Sequence, residues 1–128
     1  MNKQMALVGT GFIALGIILG AFGAHGLKEL VSPERLLSFE TGVKYQIYHG
    51  LGILLLGLNA DKFRADLKWV FTSLIGGTII FSVSIYFLAL QDVWGVSLSF
   101  LGPVTPLGGL AMIIGWALLF YNLLRDQG

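Results

Sequence analysis

Cysteine is absent from these 128 residues and histidine occurs twice. The chain therefore has no material for a disulfide, a thiolate metal site or a haem attachment motif, and neither metal nor cofactor is expected. Charge is equally sparse: 12% of residues are charged and the formal net charge is +1. With no Lys/Arg-rich tract, nothing supplies the field or the basic stripe that nucleic-acid binding requires. Catalytic signatures are missing too, with no Gly-x-Ser-x-Gly, no His-Glu-x-x-His and no phosphate-cradling loop leading into a helix. An enzyme is not the expected reading.

Apolar residues fill the space. They make up 55% of the chain, and mean hydropathy is +0.81, beyond what the core of a soluble domain of this length needs. An integral membrane protein follows. Four spans of about 20 residues each would use most of the chain, so an all-α bundle of four transmembrane helices, forming one domain over 1–128, is the predicted fold.

The first apolar run, about 5–24, is too long for the core of a secretory signal and reads as a span. Ser32-Pro33 then opens a second helix, serine capping free N–H groups and proline sitting where its own N–H is not needed. Continued to Leu58, that helix is longer than the hydrocarbon core. Its first turns are expected in the headgroup layer, and its span is about 41–58. Charged residues between Asn59 and Lys68 form a turn, and the third span is placed at about 69–90. Thr105-Pro106 repeats the capping pattern and opens a fourth span at about 106–124. No sequence repeat is strong enough to indicate an inverted-repeat transporter.

Four spans place both termini on one side, together with Lys3, Lys62, Arg64, Lys68 and Arg125, against Lys28, Arg35 and Lys44 on the other. The positive-inside rule then puts both termini in the cytoplasm of a plasma-membrane protein.

Gly9, Gly16, Gly20 and Gly23 line one face of the first helix, a surface for close packing against another helix of the bundle or in a homo-oligomer. His49 is the most informative polar residue, because an ionisable group inside a span is costly and faces protein or water rather than lipid. Tyr45 lies one turn above it. Ser82 on the third helix falls at a similar depth with Tyr86 a turn above, while His25 and Thr105 mark the outer ends of helices one and four. Polar groups thus concentrate in the outer half. They either hydrogen-bond one another as inter-helical glue or line a pocket, with Glu40 and Lys44 at its lip, for a lipid or small amphiphile. A small oligomeric transporter or channel subunit is the alternative, and a structural or assembly protein the third.

The runs GAFGAHGL at Gly20–Leu27, TGVKYQIYHG at Thr41–Gly50, FSVSIYFLAL at Phe81–Leu90, VTPLGG at Val104–Gly109 and GWAL at Gly115–Leu118 resemble the YgdD/YwdK-like family of small bacterial membrane proteins, with which the eukaryotic transmembrane-256 proteins belong. The chain departs at Val83, where the family pattern has glycine between the serines. The resemblance implies a four-helix plasma-membrane protein of unknown function. It marks His25, Thr41, Tyr45, His49, Ser82, Ser84, Tyr86, Thr105 and Pro106 as motif positions.

Overall fold

The computed structural model describes residues 1–126, which form four long helices: α1 (Lys3–His25), α2 (Pro33–Leu58), α3 (Lys68–Trp94) and α4 (Val104–Arg125). Short 3₁₀ turns occupy the three connections, at Leu27–Glu29, Ala60–Lys62 and Ser99–Leu101. Local chemistry sets several of the boundaries. The Asn2 carboxamide oxygen accepts from the Met5 N–H, and the Ser32 hydroxyl accepts from the Arg35 N–H beside Pro33. Asp66 Oδ1 accepts from the Lys68 N–H where α3 begins. Gly95 ends α3 with φ of 68°, a left-handed conformation that favours glycine.

Two boundaries differ from the sequence reading. α3 runs past Leu90 to Trp94, because Gly95 is the first residue to break it, and the Gln91 side chain then holds the following loop by accepting from the Leu98 N–H. α4 starts at Val104, and Thr105 does not cap it: its hydroxyl lies 2.6 Å from that of Ser84 on α3. Ser84 donates to the Phe81 carbonyl, so Thr105 is the donor between the two hydroxyls.

Three of the long helices, α1, α3 and α4, carry apolar stretches long enough to cross a membrane. α2 is long enough but not apolar enough, since Glu34, Arg35, Glu40, Lys44, Gln46 and His49 dilute it. Large apolar side chains cover the outside, among them Leu7, Ile17, Ile18, Leu55, Ile113 and Phe120. An exterior of that kind suits lipid, not water.

The helices run alternately up and down, with α1 packed on α2, α3 on α4, and α2 joined to α3. The start of α1 meets the end of α2, where the Asn2 N–H donates to the Gly57 carbonyl, and Asp126 after α4 pairs with Arg64 of the α2–α3 turn. Asp61 in that turn pairs with the Met1 ammonium, whose hydrogen bond holds its carboxyl below the ordinary carboxylate range. At the opposite end Arg35 pairs with Asp92.

The two hairpins are built on one contact pattern. A side chain on Gly9 would strike the Gly50 carbonyl and the Leu54 N–H group, and one on Gly77 would strike the Gly108 carbonyl and the Met112 N–H group. Adding 68 to α1 numbers and 58 to α2 numbers maps the first set onto the second. The same shift takes Gly57 against Ala6 to Gly115 against Leu74, and Gly16 against Ile47 to the Ser84–Thr105 hydrogen bond. The repeat is parallel, since α1 and α3 start from the same end. Backbones meet at Gly9 against Gly50 and at Gly77 against Gly108, which replaces the hydrophobic drive that lipid cannot supply between helices.

Candidate functional site

α2 carries the polar residues of its first half on two adjoining faces, and the fold sends those faces in different directions. Residues 42 and 46, one turn apart, look toward the α1/α3 side; residues 45 and 49 look toward α4.

On the first face Gln46 ties three helices together. Its Nε2 donates to the Phe12 carbonyl on α1 at 2.9 Å, and its Oε1 accepts from the Tyr86 hydroxyl on α3 at 2.6 Å. One turn away, Ser82 donates to the Gly42 carbonyl at 2.8 Å, where α3 lies so close to α2 that a side chain on Gly42 would collide with the Tyr86 ring. Both serine and glutamine are buried. On the second face the His49 ring stacks on Tyr45 and meets Trp116 of α4. The indole Nε1–H, which only donates, points at His49 Nε2 over 3.0 Å. The ring proton therefore sits on Nδ1 and is donated to the Tyr45 carbonyl at 2.8 Å, so this network holds His49 as a neutral imidazole.

The residues picked out by depth along the helices are thus divided. Tyr86 joins Gln46, Ser82 joins the Gly42 carbonyl, His49 and Tyr45 join Trp116, and Thr105 joins Ser84. His25 is exposed at the end of α1, Lys44 is exposed, and Glu40 is half-buried. Gln46, Gly42 and Trp116 were not singled out from sequence. Gln46 carried the clearest overlooked signal, an amide in the middle of a helix that otherwise turns apolar. Gly9, Gly16 and Gly23 are buried, and all four glycines of that line, Gly20 included, face α2 of the same chain. Among the described residues no buried side-chain nitrogen or oxygen lacks a partner, and no group of His, Asp and Glu is placed to hold a metal.

Two cavities open between α1 and α3, an inner one at the end that holds Asn2 and an outer one farther along the same pair of helices. The outer chamber, about 310 Å³, has walls of Phe12, Leu15, Ile18 and Leu19 from α1 and Ile79 and Val83 from α3. Its floor residues Thr78, Ser82 and Tyr86 all donate into the bundle, to Leu74, Gly42 and Gln46, so the chamber offers an arriving molecule mainly hydrocarbon. The inner chamber, about 660 Å³, lies where the start of α1 meets the α2–α3 turn. Glu40 and Lys44 line neither.

Residues 19–109 match the family described as "Protein of unknown function (DUF423)". A UPF0382 membrane protein of Staphylococcus epidermidis is 37% identical over 126 residues, covering 98% of this chain and 99% of that protein. The UPF0382 membrane protein YwdK of Bacillus subtilis is 37% identical over 122 residues, covering 91% and 93%. One from Haemophilus influenzae is 32% identical over 131 residues, covering 98% and 97%. No solved structure matches.

Proposed function

The chain belongs to the DUF423 family of membrane proteins of unknown function, and from that premise we propose that it is a four-span plasma-membrane protein that holds a lipid acyl chain between α1 and α3. The fourth span is α2. Its formal charges end at Lys44, its two later buried polar side chains, Gln46 and His49, are both hydrogen-bonded, and α1 and α3 flank it. A helix whose polar side chains are turned to its neighbours in this way can cross the bilayer while being less apolar than they are. Lys3, Lys62, Arg64, Lys68 and Arg125 gather at one end, which the positive-inside rule assigns to the cytoplasm with both termini.

The outer chamber carries the reading. Every hydroxyl on its floor is turned inward, so its chemistry selects a hydrocarbon chain over a headgroup. Val83, 40% exposed, stands on its rim. Val83→Trp should fill the chamber from the side, and native mass spectrometry of protein released from lipid nanodiscs should then count one bound lipid fewer per chain at unchanged thermal stability. An unchanged lipid count in that variant refutes the reading.

A further inference from the structure

The inner chamber differs from the outer one in having a charged mouth. Met5 of α1 and Phe71 and Ile75 of α3 make its walls, while Asn2, Asp66 and Lys68 stand at its open end. From Lys68 to Gly76 the chamber follows α3 for about 12 Å, close to the depth of one leaflet in a core of about 30 Å. The Lys68 ammonium sits 5.3 Å over the Trp69 ring, and Trp69 is exposed at the level where indoles favour the membrane interface. Two residues earlier the Asp66 carboxylate is held in place by the Lys68 N–H. The mouth therefore pairs one fixed anion with one cation, above a mainly apolar shaft about 12 Å deep.

We propose that the inner chamber binds one phospholipid of the cytoplasmic leaflet with a zwitterionic, primary-amine headgroup, its phosphate toward Lys68 and its ammonium toward Asp66. This rests on the reading that the bundle spans the bilayer, and it concerns a different chamber from the one that carries that reading. An anionic headgroup would satisfy Lys68 and be repelled by Asp66. Charge complementarity at the mouth thus favours phosphatidylethanolamine over phosphatidylglycerol. The Asn2 carboxamide adds a donor on the phosphate side, since its oxygen is already engaged with Met5. The acyl chain lies along Phe71 and Ile75 and reaches Gly76, where the absence of a side chain leaves the cleft open.

The test uses the full chain in nanodiscs of equal phosphatidylethanolamine and phosphatidylglycerol, with retained lipids identified by native mass spectrometry. The expected result is one retained phosphatidylethanolamine, in several-fold excess over phosphatidylglycerol at that site. Gly76→Leu, whose first added carbon meets nothing within 4 Å, should fold normally and lose that lipid, while the lipid sensitive to Val83→Trp stays. Asp66→Asn keeps an oxygen to cap α3 but drops the charge, and should abolish the headgroup preference without changing the number of lipids held. Lys68→Gln should weaken retention of both headgroups. The proposal is overturned if Gly76→Leu retains the same lipids as the unaltered chain, or if Asp66→Asn leaves the headgroup preference intact. It is also overturned if Gly76→Leu instead converts a dimer to a monomer, which would make a second copy the occupant. An unchanged lipid count in Val83→Trp, with the inner site behaving as described, would sink the outer-chamber reading and leave this one standing.

Discussion

Trp116 Nε1 lies 3.0 Å from His49 Nε2, a hydrogen bond that links α2 to α4 across the face of α3. Because an indole can only donate, this one contact assigns the imidazole its tautomer. Removing either partner leaves the other short of a bond in a place where water is scarce. Trp116→Phe and His49→Phe should each cost about 1 to 3 kcal/mol in detergent unfolding, and the double variant less than the sum. Additive losses would mean that the pair contributes nothing as a pair. Nitrogen NMR of labelled histidine should show a neutral Nδ1–H ring at pH 7.

Neighbouring glycines on α3 should respond in opposite directions. A methyl on Gly77 would sit 2.7 Å from the Met112 nitrogen, with backbone on both sides, whereas a methyl on Gly76 meets nothing within 4 Å. Gly77→Ala should therefore part α3 from α4 and lower the melting temperature clearly. Gly76→Ala gains only the helix preference of alanine, about 0.5 to 1 kcal/mol, and should raise it slightly. Equal effects would contradict the glycine crossing.

Gln46 bridges α1 and α3 through opposite ends of one carboxamide. Gln46→Leu should leave the Tyr86 hydroxyl without an acceptor, costing about 1 to 3 kcal/mol, and Tyr86→Phe in that background should recover part of the loss. Failure of the second change to recover stability in thermal unfolding would show that Tyr86 finds another acceptor.

The positive-inside assignment predicts the labelling of single cysteines introduced into this cysteine-free chain. On intact cells an impermeant maleimide should reach Ser32→Cys and Ser97→Cys but not Ala65→Cys. The reverse pattern would invert the topology.

The membrane class, the long helices and the start of α2 at Pro33 could all be read from the chain itself, because hydropathy and caps act within one helix. The same holds for the rough depth of His49 and Ser82, since rise per residue is a local property. Which polar groups meet could not be read. Depth counting put His49, Tyr45, Ser82 and Tyr86 in one group, yet a rotation of 100° between residues 45 and 46 divides them between two adjoining faces of α2. The partner of each side chain depends on how far the neighbouring helix is rotated and how closely it approaches. Tertiary contacts decide that, at Gly9 against Gly50 and at Gly77 against Gly108. The repeat stayed hidden for a related reason: its equivalent positions preserve a contact, not a residue type, as Gly16 with Ile47 and Ser84 with Thr105 illustrate. Thr105 itself looked like a cap because its neighbours in sequence suit one; a hydroxyl 21 residues earlier in the chain, brought across by the α3–α4 crossing, claimed it instead.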